Sequence, residues 1–158
     1  MAKPDVERLW QLMSSIPFCM LSTWDGERMH SRPMGAFFRR EDSAVFFFTD
    51  DQSRKYDEIR RYPRVYLSFV DVRRQKYVSA CGIAEISRDL TLIQKIWALP
   101  ARVWWKVPSN PHLCLIKFTL EEAEYWDTPG NLISNLDIAL ALVTGSKPRA
   151  GVCKKVAP

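Results

Sequence analysis

Residues 46–55 read Phe46-Phe47-Phe48-Thr49-Asp50-Asp51-Gln52-Ser53-Arg54-Lys55, and the character of the chain changes inside them. The run of aromatics suits the buried end of a strand. It gives way to the hydroxyls of Thr49 and Ser53, the adjacent cations Arg54 and Lys55, and a polar turn of Asp50, Asp51 and Gln52. Tyr56–Tyr62 then reads as a short helix stopped by Pro63. Hydroxyls and cations between a strand end and a helix start suit an anion, most often a phosphate, because helix-start amides carry partial positive charge. The competing reading is a solvated turn in which Ser53 caps the helix.

Upstream, Asp5–Ile16 sets Val6, Leu9, Trp10, Met13 and Ile16 at helical spacing, with Pro4 before it and Pro17 after. Phe18–Thr23 reads as a strand, and Trp24-Asp25-Gly26-Glu27 carries the Asp-Gly signature of a hairpin. The returning strand, Arg28–Phe38, contains Ser31-Arg32-Pro33-Met34-Gly35. Proline removes a ladder donor there, so Pro33 predicts a sheet edge or a bulge. His30 beside it reads first as a structural or surface histidine. Ala44–Thr49 is the third strand.

Downstream, Arg64–Val70 alternates apolar and polar residues, Asp71–Gln75 turns, and Lys76–Ser87 is a long strand with a bend expected at Gly82. Asp89–Leu99 has helical periodicity with Asp89 at its start. Val103-Trp104-Trp105-Lys106-Val107 is dense enough in aromatics to serve a subunit interface or to wall off a ligand. His112–Thr119 is a sixth strand, Glu121–Asp127 closes that region, and Leu132–Val143 is a last apolar helix before a basic tail. Strands joined by short turns predict an antiparallel meander or barrel, mainly β with peripheral helices.

Composition narrows the class. At 158 residues and 47% apolar content, the chain fits one domain, with a core at about 5–145 and a tail at 146–158, and needs no disulfide or metal. The four cysteines, at 19, 81, 114 and 153, are far apart and have only His30 and His112 to assist them, so no metal site is expected. Cys19, Cys81 and Cys114 read as reduced core thiols. With neither a signal-like segment nor an apolar run long enough to cross a bilayer, the expected setting is cytoplasmic and away from membranes. The net charge of +5 would welcome a phosphate-bearing ligand. No nucleophile elbow, Walker loop or Gly-x-Gly-x-x-Gly is present, which removes the common hydrolase, P-loop and Rossmann readings.

Several blocks together resemble one family. Ser31-Arg32-Pro33-Met34, Phe47-Phe48-Thr49 with Ser53-Arg54-Lys55, Tyr62-Pro63-Arg64-Val65, Tyr77-Val78 with Cys81-Gly82-Ile83-Ala84-Glu85, and Ala123-Glu124-Tyr125-Trp126-Asp127 occur in one order over residues 5–145. In this the chain resembles pyridoxamine 5′-phosphate oxidase-related FMN-binding split-barrel proteins, and most closely their general stress protein 26-like branch. The resemblance implies a six-stranded antiparallel split β-barrel with FMN at a homodimer interface. It implies that Thr49, Ser53, Arg54 and Lys55 hold the phosphate and that the ring lies along Arg32, Pro33 and Met34. Trp126 would approach from the partner subunit, and Ser31, Phe48 and Tyr77 complete the implied cofactor-binding set. FAD or the deazaflavin F420 fits the same anchor.

The chain also departs from that pattern. An Arg-x-His substrate grip is absent from Thr128–Asn135, so pyridoxamine phosphate oxidation is not expected. Tyr77 stands about where many relatives place a glutamine. The leading expectation is a flavin-dependent oxidoreductase of unassigned substrate, with no catalytic residue identified. A non-catalytic flavin-binding stress protein or sensor is the alternative, and a nucleic-acid-binding β-barrel is a remote third.

Overall fold

The hairpin at Asp25-Gly26 starts the fold. Asp25 Oδ1 accepts from the N–H groups of Glu27 and Arg28 at 2.8 and 2.7 Å, and Gly26 adopts φ +106°, which a side chain would strain. This turn joins β1 (Phe18–Trp24) to β2 (Met29–Gly35), paired from Phe18↔Gly35 to Trp24↔Met29. The structure, a computed structural model, describes residues 3–97, 101–102, 105–128, 139–145 and 152–157.

The remaining elements follow as β3 (Phe37–Arg39), β4 (Ala44–Asp50), α2 (Arg54–Arg61), β5 (Arg64–Asp71), β6 (Lys76–Ser87), α3 (Leu90–Ile96), β7 (Leu113–Asp127) and β8 (Val152–Val156), with α1 (Lys3–Ser14) ahead of β1. Every pairing is antiparallel, in the order β2-β1-β5-β6-β7-β4-β3, with β8 added to β7. The result is a mainly β, curled split-barrel sheet with peripheral helices. As Pro33 predicts, β2 is an edge strand.

The Phe46-Phe47-Phe48 run makes sense once β4 is placed, because every residue from Ala44 to Thr49 is buried. Phe47 and Val45 join the main core with Leu21, Leu67, Phe69, Ile116 and Phe118. Phe46 and Phe48 join a second cluster beneath α3, with Leu115, Ile93 and the partly buried Trp97 and Trp105. A strand covered on both faces has no reason to alternate.

Gly82 marks the bend. The β6–β7 register shifts between Cys81 and Gly82, leaving Glu121 as the extra residue of a bulge. A Cβ on Gly82 would lie 2.1 Å from the Thr119 carbonyl oxygen and 2.9 Å from the Phe118 ring, so only glycine fits.

Several expectations need correction. The described residues form eight strands, not six. The long returning strand breaks at Ala36, whose N–H turns aside to the Pro17 carbonyl at 2.9 Å, so β2 pairs with β1 while β3 pairs with β4. The acid-rich stretch after Thr119 is no closing turn, because β7 continues through it to Asp127. Part of the basic tail is β8, whose Val156 is buried against β7. Cys81 is only half-buried, on the outward side of β6, and Cys153 is exposed. Of the last predicted helix, residues 139–144 are helical and 132–138 lie outside the described residues, as do Val103 and Trp104. Among the described residues, no helix is long and apolar enough to cross a membrane.

Candidate functional site

A cleft of about 470 Å³ opens where the end of β2, the end of β4 and the start of α2 converge. Pro33, Met34 and Gly35 form one wall, with Phe18 at the rim. Phe37, Phe48, Ala101 and Trp105 form an apolar floor, and Thr49, Asp50 and Lys55 supply the polar end. The Phe48 ring meets Phe37 edge-on at 5.1 Å and leans on Trp105 at 6.3 Å, which fixes the aromatic surface. Its volume and its apolar lining with a few polar groups are those of a small-molecule site.

The polar end sets one carboxylate, Asp50, beside one cation, Lys55, and the two form no ion pair. Lys55 is half-buried and makes no hydrogen bond or ion pair among the described residues. Loss of hydration and, second, repulsion from Arg32 lower its pKa below the usual lysine range. The Thr49 and Ser53 hydroxyls lie 3.2 Å apart beside it. Ser53 occupies the residue before α2 in extended backbone, but its hydroxyl donates to the Asp50 carbonyl at 2.6 Å and does not cap the helix. Among the described residues, the N–H groups of Arg54 and Lys55 therefore meet no acceptor. An uncapped helix start, a cation without a bonded partner among the described residues and two hydroxyls have the chemistry that suits an anion. The simple capping alternative is removed.

The other predicted residues are distributed unequally. Pro33, Met34, Phe48, Thr49 and Lys55 line the cleft, and Ser53 adjoins it through Thr49. Arg32 donates to the buried Glu58 at 2.9 Å and to Thr23 Oγ1. Arg54 is held by three groups: Asp25 Oδ2 at 2.8 Å, His30 Nε2 at 2.7 Å and Glu58 Oε1 at 2.9 Å. Ser31 bonds Ser22 at 2.5 Å across the exposed side of β1–β2. Tyr77 and Trp126 are cross-strand partners on β6–β7 and line no part of this cleft.

Phe18, Phe37, Asp50 and Ala101 were not legible as lining residues, because they come from separate elements that only packing brings together. Trp105 carried a signal in its aromatic cluster.

Opposing terms set the charges behind the cleft. Burial disfavours the Glu58 carboxylate, yet hydrogen bonds from Thr23 and Arg32 outweigh burial and hold its pKa below the ordinary range. His30, followed by the Arg28 and Glu27 amides, lowers Asp25 well below it. Asp25, His30 and Glu58 place one ligand atom each within 4.8 Å of one another. Both carboxylates already face guanidinium groups, which supply the positive charge there.

Against known proteins, the profile of the pyridoxamine 5′-phosphate oxidase like family matches residues 4–149. The chain belongs to that family. A Jannaschia sp. CCS1 protein, provisionally called general stress protein 26, superposes with a TM-score of 0.83 at 22% identity, covering 99% of this chain and 100% of that one. General stress protein 26 of Bacillus anthracis str. Sterne is 28% identical with a TM-score of 0.69, covering 75% and 91%. The general stress FMN/FAD binding protein of Xanthomonas citri gives 0.70 at 22% identity, covering 79% and 89%. The likeness to the Jannaschia protein, over nearly the whole of both chains, places that protein's fold on this sequence.

Proposed function

We propose that the cleft binds FMN by its 5′-phosphate and that the protein is a flavin-dependent oxidoreductase acting as a homodimer. The observation that carries this reading is Lys55, a half-buried cation without an ion pair among the described residues, at the polar end of an aromatic cleft. Its unbonded ammonium, the Thr49 and Ser53 hydroxyls and the uncapped α2 amides fit a phosphate dianion, and the Pro33–Met34 edge opposite Phe48 and Trp105 fits a flat ring. FAD shares that phosphate chemistry, and so does F420. The Xanthomonas citri relative, an FMN/FAD binding protein, supports the flavin assignment.

When bound, the flavin would supply hydride and electron transfer. The chain's own residues then have limited tasks. Lys55 and the α2 amides neutralise and orient the phosphate. Phe37, Phe48 and Trp105 exclude water from one side of the ring. Pro33, without an N–H, and Met34 border it where β2 has no outer ladder partner. The partner subunit would close the side that Phe18 leaves open at 61% exposure, with the partner's Trp126 and the partner's Tyr77 approaching the ring from there.

A non-catalytic flavin carrier is the second reading. It is favoured by the cleft lining, whose only titratable side chains among the described residues are Asp50 and Lys55. Two measurements decide between the readings. Protein purified from cells should be yellow and release FMN on denaturation, identified by mass; colourless protein that takes up no added FMN, FAD or F420 overturns the flavin assignment. Stopped-flow mixing with NADH or NADPH should bleach the flavin and turn over with an added acceptor; a flavin that neither donor reduces leaves the carrier reading.

A further inference from the structure

His30 is in a position that one protonation state cannot satisfy in full. Its Nε2 lies 2.7 Å from Asp25 Oδ2, an acceptor, and 2.7 Å from Arg54 Nη2, a donor. Arg54 Nη2 is itself 2.8 Å from Asp25 Oδ2, so the three atoms close a triangle. A ring nitrogen carries either a hydrogen or a lone pair, never both. With a lone pair on Nε2, Arg54 donates one N–H to His30 and one to Asp25, and only the facing lone pairs of Nε2 and Asp25 Oδ2 are opposed. With a proton on Nε2, as the imidazolium always has, His30 donates to Asp25, and the two facing N–H groups of His30 and Arg54 repel, most strongly when the ring is charged.

We propose that His30 is the positioning residue for Arg54: neutral, it holds the guanidinium away from the cleft, and protonated, it takes over Asp25 and frees Arg54 Nη2 for a ligand phosphate. This rests on the phosphate reading of the cleft given above. Arg54 lies in sequence between Ser53 and Lys55, the two residues that adjoin and line the polar end.

The charges around the triangle favour a pivot over a full release. From the hairpin, Asp25 and Arg32 face it; from α2, Arg54 and Glu58 do. Arg32 is occupied by Glu58 and Thr23 and does not compete for Asp25. Glu58 Oε1 is buried and accepts no hydrogen bond, yet it stands 2.9 Å from Arg54 Nε. It tethers the Arg54 stem while Nη2 swings. Charge stays balanced: imidazolium replaces guanidinium at Asp25, and guanidinium gains the phosphate. By linkage, a phosphate that prefers the swung Arg54 must draw a proton onto His30, and acid must tighten its hold.

FMN titrations of the full-length protein and of His30→Gln, from pH 5.5 to 7.5, test this. The phosphate itself takes up a proton near pH 6 and weakens binding in both proteins, so the ratio of their affinities isolates His30. That ratio should change about fivefold across the range in favour of the wild type at low pH, the lower end of typical coupling. In proton NMR of the wild type, which has two histidines, the His30 ring signal should titrate at higher pH with FMN bound than without it. This second measurement decides the matter even if His30→Gln fails to fold. FMN bound with the same pH profile by both proteins and an unmoved His30 titration overturn the positioning role and leave the flavin assignment standing. No FMN binding at any pH overturns both.

Discussion

Lys55 is costly in the ligand-free protein: burial and Arg32 both oppose its charge, and the attraction of Asp50 and Glu58 does not offset them. Replacing it by methionine should therefore leave the melting temperature of the ligand-free protein unchanged or slightly raised. FMN affinity should fall by about tenfold to a hundredfold, the worth of one hydrogen bond to a charged group. Calorimetry and flavin fluorescence titration read the two effects separately, and a large loss of stability would refute the account of Lys55. Glu58 behaves oppositely. It is 4% exposed and sits between Arg32, Arg54 and Thr23, so Glu58→Gln should cost roughly 3 kcal/mol by leaving Arg32 unmatched. Its folded pKa lies below its unfolded one, so its contribution is complete above the unfolded carboxyl value of about 4.3 and fades as pH falls below that value. Thermal midpoints measured between pH 3 and 7 should fall steeply below about pH 4.5 in the wild type and less steeply in Glu58→Gln. The sequence placed Arg54 in the phosphate clamp on the strength of its neighbours. Beyond Glu58, four residues on along α2, its present partners Asp25 and His30 come from a hairpin 29 and 24 positions away, and no local pattern could reveal those two.

Among the elements, the β6–β7 pair takes the sharpest turn, and a single residue makes it possible. Gly82→Ala would drive a methyl group into the Thr119 carbonyl and the Phe118 ring, in strands where neither has room to retreat. The expected loss is about 3 kcal/mol or more, measured by urea unfolding. Gly82→Ala with unchanged stability would mean that the bulge is not held by this contact. The bend was legible from a lone glycine in a long strand, but the partner strand's extra residue, Glu121, was not. The same contrast holds for β7. Its acidic stretch looked like a solvated turn, because outward side chains at the far end of a strand are as polar as those of a loop. For α3, local chemistry sufficed: Asp89 accepts from the N–H groups of Thr91 and Leu92, as its place before an apolar periodic run predicted.

The sheet leaves Phe18, Met20, Tyr66 and Val70 exposed on one side of β1 and β5. Buried in a symmetric contact, these side chains would close the open rim of the cleft with a second copy. Light scattering should then give twice the chain mass of 18.4 kDa, and Tyr66→Glu should shift it to monomer and weaken flavin binding together. A monomeric wild type that retains flavin would show that one chain completes the site. From residues alone came α1, α2 and α3, the middles of most strands, the turn rich in hydroxyls and cations, and the family, since period, turn chemistry and a motif's order are local properties of a chain. The sheet order, the addition of β8, the aromatic floor under the cleft and the holding of Arg54 by Asp25 and His30 came from folding. Each is a contact between distant segments, and its energy depends on burial and distances that do not exist until the chain has closed on itself.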